Sequence, residues 1–331
     1  MGIKSLTQTI KKHSPGSIVH ENLYKLTGKR VAVDASLIIY QQLLNTPNGK
    51  LFTNNDGKIT NHITGLFYKI MNYISLNIEL IFIFDGKPPE NKSETIRKRK
   101  GKCENAKNKL TNDSLSEIEK NKLKKSSIRL TKEMINDVKY LLKLLGVSYI
   151  DADGEGEALA SELCRIGNVD YVLSEDMDSL VYGCPRLIRN CVDKKMKRKD
   201  IISIFNYQKM IDDFDLNHDN FIEFCVLCGC DYCDSVPKIG NITAFKLIQK
   251  YKTIENIIDN TTYNFPENYL LSFNNAKHNF LLYYDKVDVK NLVIKSSEVN
   301  IPKLEKFLIG EIQMNEKRVQ NTLKKFNNNY K

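Results

Sequence analysis

Three features are scarce in this sequence of 331 residues, and each scarcity excludes a class of protein. No apolar run approaches the ~20 residues that a membrane-spanning helix needs. The first 17 residues are amphipathic and lack the apolar core of a secretion signal. Histidine occurs five times, at scattered positions, which argues against a histidine-ligated zinc site. We therefore expect an intracellular protein without a membrane span, and we expect any metal to be bound by other side chains.

The eight cysteines follow no regular spacing, and without a secretion signal they are expected to be reduced thiols. Four of them form a cluster: Cys225, Cys228, Cys230 and Cys233. Such a cluster invites a zinc or iron–sulfur interpretation. Packing is the favoured alternative, because Cys225 and Cys228 fall on an apolar helical pattern, where thiols behave as small hydrophobes. The four are also closer together than the two separated pairs of a structural zinc site.

Charge and hydrophobicity define the class of the chain. Lys and Arg number 50 against 40 Asp and Glu, which gives a formal net charge of +10 and a pI near 9.0. A hydrophobic fraction of 41% and a charged fraction of 27% indicate a folded protein with an ample core, in one large domain or two. The basic excess favours a polyanionic partner, although the distribution of the charge matters more than its sum.

Short, almost continuous apolar runs alternate with helical patterns along the chain. The runs occupy residues 29–36, 78–86, 146–158 and 169–179. Such runs are typical of strands buried on both faces of a parallel sheet. Helical patterns cover 61–75 and 157–167, and the chain from about Ile201 is predicted to be mostly helical. We predict an α/β fold with a central, mostly parallel, twisted sheet flanked by helices.

Carboxylates stand where each predicted strand ends. They are Asp34, Asp85, Glu155, Glu157, Asp176 and Asp178. Because the carboxyl ends of parallel strands meet at one edge of a sheet, these acids should gather there. Their mutual repulsion requires a counter-charge, and an all-carboxylate site favours Mg²⁺ or Mn²⁺. Two such ions ~4 Å apart are the usual device for phosphodiester hydrolysis, so the pattern predicts that chemistry.

The spacing of the paired acids predicts their local structure. Asp176 and Asp178 are two residues apart, which would put both on the same side of an extended segment. Glu155 and Glu157 have the same spacing but would not share a face inside a regular helix, so we expect them at a helix start.

A basic segment leaves the predicted sheet directly after Asp85. Residues 87–132 are rich in Lys and Arg and poor in apolar residues, which predicts a charged helical excursion. Lys92 and Arg99 are two helical turns apart and could reach a scissile phosphate from one face. The simpler alternative is a solvated helical hairpin without a ligand. Tyr40, on the helix after the first strand, is either a base-stacking aromatic or a residue at the margin of the core.

Several strings of this sequence resemble the flap endonucleases, a family of structure-specific 5′ nucleases. The strings "MGIKSL", "VAVDAS", "FDGKPPE", "DGEGEA", "SEDMDSL" and "GCDYCDSVPKIG" occur in the order of that family and extend over essentially the whole chain. The resemblance implies a two-metal nuclease of DNA replication and repair. It would cut 5′ flaps near the junction of single and double strand, with weaker 5′→3′ exonuclease activity.

The resemblance also implies roles for individual residues. The metal-site acids of the family correspond to Asp34, Asp85, Glu155, Glu157, Asp176, Asp178 and Asp231, which would bind two Mg²⁺, or Mn²⁺ instead. Lys92 and Arg99 correspond to the catalytic pair that contacts the phosphate, and Tyr40 to the aromatic that stacks on a base. Gly2 corresponds to the N-terminal glycine beside the site, exposed once Met1 is removed.

A second set of residues corresponds to the duplex-binding part of the family. Residues 231–252 match its helix–two-turn–helix, which grips duplex DNA through phosphates and a bound K⁺. Lys238 and Gly240 would contact the DNA. The oxygen donors to K⁺ would come from Ser235, Val236 and Ile239.

The family pattern also suggests an organisation for the chain. We expect a single nuclease domain over 1–331 that acts as a monomer. Its parts would be an N-terminal nuclease region (1–105), a basic helical gateway and cap (87–135), an internal nuclease region (125–255) that includes the helix–two-turn–helix, and a C-terminal helical region (256–331).

Three departures from the family pattern stand out. Lys238 replaces the first glycine of a Gly-Ile-Gly turn, which costs stability if that position needs a positive φ. Asp153 and Gly156 stand where the family often has Pro and Ala, which would loosen the approach to the acids. The C-terminus lacks a clear motif for a sliding clamp. Residues 320–327 imitate its beginning, but an apolar helix face made of Val319, Leu323 and Phe326 explains the pattern better.

The alternatives to a flap endonuclease are another structure-specific 5′ nuclease of the superfamily, of exonuclease, recombination or RNA-directed type, and a non-catalytic DNA-binding scaffold. The short gateway between Asp85 and Glu155 argues against the excision-repair type, and the retained acids argue against a scaffold. The basic run at 194–199 could be a localisation signal, a duplex contact or a solvated loop. The expected location is the nucleus or a viral replication site.

Overall fold

The computed structural model describes residues 2–45, 51–111, 115–196, 198, 200–286, 292–295 and 297–329. The chain forms two compact units. The first consists of Met1–Asp34, Asp85–Thr95 and Asp151–Leu292, and the second of Ala35–Phe84, Ile96–Ile150 and Val293–Lys331. The domain boundaries expected from the sequence stay predictions.

The strands are β1 (Ile18–Asn22), β2 (Arg30–Asp34), β3 (Glu79–Phe84), β4 (Ser148–Asp151), β5 (Tyr171–Leu173), β6 (Arg186–Asn190) and β7 (Ile201–Asn206). The helices are α1 (Leu6–His13), α2 (Ala35–Leu44), α3 (Asn61–Ser75), α4 (Ser93–Lys109), α5 (Glu117–Ser127), α6 (Lys132–Leu145), α7 (Gly156–Arg165), α8 (Asp178–Val181), α9 (Tyr207–Phe214), α10 (His218–Cys228), α11 (Asn241–Tyr251), α12 (Ile254–Asn260), α13 (Tyr269–Lys286), α14 (Ile301–Glu305) and α15 (Glu316–Asn329). No helix in the described part of the chain has the length and hydrophobicity that a bilayer crossing requires.

The first unit is built on strands in the order β1-β7-β6-β5-β2. At its centre β5 runs parallel to both β2 and β6, with Val31 opposite Tyr171 and Val33 opposite Leu173. β7 is antiparallel to both β6 and β1. The predicted α/β class, with a mostly parallel sheet and flanking helices, is confirmed, and β1 and β7 add an antiparallel edge that the sequence patterns did not predict.

The chain was predicted to be mostly helical from about Ile201. That prediction is wrong for its first residues, because Ile201–Asn206 form β7. Ile201, Ile202 and Ile204 are β-branched residues, which favour strands, and they pair with β1 on one side. The chain becomes helical at α9, where the Asn206 side chain accepts a hydrogen bond from the Lys209 amide and caps the first turn. The prediction of helices over 61–75 and from about 157 is confirmed by α3 and α7.

Apolar side chains of the C-terminal helices complete the core of the first unit. Phe214, Phe224 and Phe245 are buried, and the Phe245 ring centroid lies 4.9 Å from that of Phe214 and 5.5 Å from that of Phe224. Cys225 and Cys228, on α10, are buried in the same region, and burial raises the pKa of the Cys228 thiol to about 12. Burial of both thiols on one face of α10 is the arrangement that the packing interpretation predicts.

Two helices that lie wholly or mostly in the second unit, α4 and α5, are largely exposed. In α4 the buried residues are Cys103 and Ala106, and α5 has none. The Cys103 thiol donates a hydrogen bond to the Ser127 carbonyl at 3.1 Å, which joins α4 to the end of α5. The described part of residues 87–132 is therefore charged and mostly helical, as the sequence indicates.

The C-terminal helix α15 packs into the second unit through the apolar face predicted for it. Val319, Leu323 and Phe326 are 0%, 2% and 6% exposed. Because these side chains are buried, they serve as core residues of the second unit.

Gly86 is required by a close approach of two backbone segments in the first unit. Its N–H donates to the Gly154 carbonyl at 2.8 Å, and the Lys87 N–H donates to the Asp153 carbonyl at 3.1 Å. A Cβ atom at residue 86 would overlap the Ala152 carbonyl oxygen. Glycine therefore allows the segment after Asp85 to lie against the segment before Glu155.

We expect Gly86→Ala to lower the thermal midpoint of unfolding, because the added methyl forces two backbone segments apart at a cost of about 1–3 kcal/mol. The matched control is Gly101→Ala in α4, where an added Cβ has nothing within 4 Å. That control should be neutral or stabilising by up to about 1 kcal/mol, since Ala is the better helix former. Equal midpoints for the two variants in a calorimetric scan would contradict the argument.

Candidate metal centre

Strand ends and helix starts of the first unit deliver six of the predicted acids. Asp34 is the last residue of β2 and is 7% exposed. Glu155 precedes α7 and Glu157 is its second residue, which agrees with the helix start predicted from their spacing. Asp85 is exposed and accepts a hydrogen bond from the Gly156 N–H at 2.9 Å. The first turn of α7 thus holds Asp85 close to Glu155 and Glu157.

Ser174, directly after β5, links three of the acids. Its hydroxyl oxygen lies 3.0 Å from Asp34 Oδ2 and 2.8 Å from Glu157 Oε1, so one proton is shared between two acceptors. The same oxygen accepts a hydrogen bond from the Asp176 N–H at 3.0 Å. Sequence reasoning missed this serine; its position at a strand end, two residues before an acid, is the signal that could have identified it.

Glu157, Asp176 and Asp178 form the tightest group of the centre. One carboxylate oxygen of each lies within 4.8 Å of those of the other two. The predicted extended segment is wrong here, because Asp178 is the first residue of α8 and its N–H donates to Asp176 Oδ1 at 3.3 Å. A turn into a short helix brings the two carboxylates together instead.

A second group of acids surrounds the Lys92 ammonium. Its Nζ lies 2.5 Å from Glu155 Oε2 and 3.6 Å from Asp231 Oδ2. The same ammonium is 5.8 Å from the centroid of the Tyr232 ring, whose hydroxyl hydrogen-bonds to that of Tyr182 at 2.9 Å. The Thr95 hydroxyl donates to the Asp231 carbonyl at 2.7 Å and fixes the start of α4 against this group. Thr95 and Tyr232 were not predicted from the sequence.

The electrostatics of the centre favour the binding of cations. Burial raises the pKa of the Glu157 and Asp178 carboxyls well above their ordinary values, and the nearby Asp176 carboxylate raises both further. Burial also raises the pKa of Glu155, against the opposing effect of Lys92. Burial alone would lower the pKa of Lys92, but Glu155 and Asp231 reverse this and raise it. The acids are therefore costly to ionise without a positive charge beside them.

The N-terminal segment lies directly on the tightest acid group. The Ile3 N–H donates to Asp178 Oδ1 at 3.0 Å. Gly2 has φ +77°, and a Cβ there would overlap the Asp176 carboxylate. Gly2 therefore lies beside the acids, and only glycine fits this position. The contact of Ile3 was not predicted.

The predicted duplex-binding residues occupy the turn between α10 and α11. Val236 and Ile239 are buried, and the Ile239 N–H donates to the Val236 carbonyl at 3.1 Å. Lys238 is exposed and has φ +69°, so the backbone conformation that would suit the family's glycine is retained with a lysine in its place. Gly240 is the N-cap of α11.

Two predicted residues belong to the second unit. Arg99 is an exposed residue in the middle of α4, and Tyr40 is a half-buried residue of α2. The 194–199 basic run contains Lys197 and Lys199, which lie outside the described residues, and its described members are exposed.

The chemistry of the donor set is uniform. The three-acid group found among the described residues contains carboxylates only, with neither histidine nor cysteine. Hard divalent cations prefer such oxygen ligands, whereas zinc prefers nitrogen and sulfur. The residues present therefore fit Mg²⁺ or Mn²⁺.

Two family models match the chain. The XPG N-terminal domain matches residues 1–106, and the XPG I-region matches residues 146–231. Together the two matches cover more than half of the chain and include every acid of the centre.

Curated relatives named Flap endonuclease 1 align over nearly the whole chain. The protein of Glycine max is 34% identical over 98% of this chain and 86% of its own length. The protein of Candida albicans is 35% identical over 98% of this chain and 89% of its own length. The human protein is 34% identical over 98% of this chain and 86% of its own length.

Solved structures share the fold. The flap endonuclease-1 of Methanococcus jannaschii superposes with a TM-score of 0.71 at 26% identity, over 94% of this chain and 96% of that one. The catalytic core of Rad2 in complex with DNA substrate has a TM-score of 0.71 at 22% identity, over 97% of this chain and 99% of that one. Given these matches and the acid centre, the chain belongs to the XPG and flap endonuclease family of structure-specific nucleases.

Proposed function

We propose that this chain is a flap endonuclease that hydrolyses DNA phosphodiesters at the junction between a 5′ single strand and duplex. It would also remove nucleotides 5′→3′ at a lower rate, and it would act in DNA replication and repair. The observation that carries the proposal is the group of carboxylates around Ser174, whose buried members need a cation. The curated relatives that match over nearly the full length support the flap as substrate.

Two Mg²⁺ ions, for which Mn²⁺ can substitute, are the cofactors that the donor set fits best. Glu157, Asp176 and Asp178 would bind one ion, and the Ser174 hydroxyl links Asp34 to this group. Asp85, Glu155 and Asp231 would bind the second ion. Bound Mg²⁺ would supply an activated water and stabilise the charge that develops on the phosphate.

Lys92 has a role that its surroundings support. Its ammonium offsets the charge of Glu155 and Asp231, to which it lies 2.5 and 3.6 Å away. Once cations compensate those carboxylates, the ammonium can turn to the scissile phosphate and offset its charge. We assign the same catalytic role to Arg99 on α4 and base stacking to Tyr40 on α2. Gly2 would contact the DNA where the strand meets the acids.

The duplex would be held by the turn between α10 and α11. Lys238 and Gly240 contact phosphates. Ser235, Val236 and Ile239 supply the oxygen donors of a monovalent-cation site, which the family pattern assigns to K⁺. The Val236 carbonyl accepts one hydrogen bond and keeps a second lone pair, so these oxygens suit a monovalent cation.

We propose that the protein acts as a monomer and that its partner is branched DNA with a 5′ flap. It would act in the nucleus or at a viral replication site. A sliding clamp is not part of the proposal, because Leu323 and Phe326, which belong to the stretch that imitates its motif, are buried.

We expect the purified chain with Mg²⁺ to cut a double-flap DNA at its junction, and Asp178→Asn to slow cutting at least about a thousand-fold, or about 4 kcal/mol of transition-state stabilisation. The amide oxygen of Asn can still accept the Ile3 N–H, so the fold should persist. Single-turnover cleavage and fluorescence anisotropy with the same DNA would measure rate and binding separately.

The matched control for that experiment is Asp212→Asn, since Asp212 is an exposed acid on α9 that is not among the proposed metal ligands. It should cut at the wild-type rate. Wild-type protein that binds the double flap tightly in Mg²⁺ and leaves it whole would support the scaffold alternative and overturn the proposal.

Lys238→Gly should separate stability from DNA affinity. Removal of a left-handed non-glycine residue should stabilise the fold by about 1 kcal/mol, because φ is +69° there. Loss of a phosphate contact should lower the slope of log affinity against log salt for duplex DNA by about one.

Asp215→Gly is the matched control for this test, because Asp215 has φ +51° at the end of α9, outside residues 231–252. It should gain similar stability with an unchanged salt slope. An unchanged slope in Lys238→Gly would show that Lys238 makes no phosphate contact.

A further inference from the structure

The first residues of the chain connect the acid centre to the duplex-binding turn. We call Gly2, Ile3 and Lys4 the N-terminal strap. The strap reaches the acids through the Ile3 N–H, 3.0 Å from Asp178 Oδ1. One residue later, the Lys4 N–H donates to the Gly229 carbonyl at 3.5 Å, and Lys4 Nζ donates to Ser235 Oγ at 3.3 Å. Consecutive residues therefore touch both sites of the first unit.

The Lys4 ammonium occupies a position that is suited to a cation. Gly229 follows the last residue of α10, a helix of 11 residues, and a helix C-terminus carries partial negative charge. Gly229 has φ +94°, and a Cβ built there would lie 3.3 Å from Lys4 Nζ and 3.0 Å from the Ser235 N. Glycine at 229 thus leaves room for the ammonium between the helix end and Ser235. The charge of Lys4 also opposes the rise that burial causes in the pKa of Cys228.

The ammonium shares its acceptor with the proposed K⁺ site. A hydroxyl oxygen that accepts a hydrogen bond from an ammonium turns its own proton away, as it does when it binds a metal cation. Ammonium and K⁺ are similar in size and both bind neutral oxygens. A second monovalent cation on the same oxygen would be repelled by the first at short range.

We propose that Lys4 is a built-in cation of the duplex-binding turn, which takes the place of free K⁺ at Ser235 and faces the duplex phosphates. The inference rests on the proposed function, since it assumes that the turn binds duplex DNA. Because Lys4 is covalently attached, its charge is present at any K⁺ concentration. Duplex binding by this chain should therefore not depend on which monovalent cation is in solution.

The test measures binding of a labelled blunt duplex by fluorescence anisotropy, without divalent ions, in NaCl, KCl or NH₄Cl at equal ionic strength. Wild-type dissociation constants in NaCl and KCl should agree within about twofold. Lys4→Gln should bind about tenfold more weakly in NaCl, or about 1.4 kcal/mol. KCl and NH₄Cl should restore most of the loss, because the vacated oxygen can then bind a free cation.

The matched control is Lys12→Gln, which removes the same charge from an exposed position on α1. Its affinities in the three salts should keep the wild-type ratios. Thermal midpoints of both variants establish that they are folded.

Two results would overturn the inference. Wild-type protein that binds severalfold more tightly in KCl than in NaCl would mean that the turn takes free K⁺ with Lys4 present. An equal loss in all three salts for Lys4→Gln would make Lys4 an ordinary phosphate contact. A wild-type chain that binds no duplex in any salt would overturn the proposed function itself, which keeps the two failures apart.

Discussion

Repulsion among buried carboxylates is the constraint on which the rest of the first unit depends. Asp34, Glu155 and Asp178 are each less than 9% exposed. One carboxylate oxygen from each of Glu157, Asp176 and Asp178 lies within 4.8 Å of those of the other two. Repulsion between like charges at this distance raises the free energy of the ionised carboxylates, and their burial raises it further because water no longer solvates them. The protein offsets part of that cost with its own groups: the Ser174 hydroxyl, the Ile3 and Gly156 amides, and the Lys92 ammonium. What remains is the attraction for divalent cations on which hydrolysis is proposed to depend.

Several local features of the fold make sense as supports of this cluster. Gly86 lets the segment after Asp85 lie against residues 152–154, and the turn into α8 brings Asp178 back to Asp176. Gly2 fits beside the carboxylates without a side chain. The basic groups are distributed differently, since α4 and α5 carry theirs on exposed helices of the second unit and Lys238 is exposed in its turn. The net charge of +10 thus does not show that the two signs are distributed differently along the chain.

The sequence predicted those parts of the site that follow from local pattern. Asp34 ends a buried strand, and Glu155 and Glu157 flank a helix start, because apolar runs and the pairing of acids with glycines are visible over a few residues. Ile3 and Lys4 were missed because their partners lie more than 100 residues away along the chain, and no periodicity records such contacts. Ser174 was missed although Glu157 and Asp176 are near it in the sequence, because a serine at a strand end was not considered as a link between acids. The strand β1 was missed for the same reason as Ile3 and Lys4, since its pairing partner β7 is remote along the chain. The extended segment expected at Asp176 and Asp178 failed because Met177 adopts a helical conformation.

A two-cation centre is tested most directly by anomalous diffraction from crystals of the protein grown with Mn²⁺, which locates each manganese ion independently of activity. Two anomalous peaks about 4 Å apart are predicted. One should lie among Glu157, Asp176 and Asp178, and the other among Asp85, Glu155 and Asp231, with the Lys92 ammonium displaced from Glu155. Ordered carboxylates without an anomalous peak between them, or with Lys92 still paired to Glu155 at saturating Mn²⁺, would contradict the claim that this cluster is a two-cation centre.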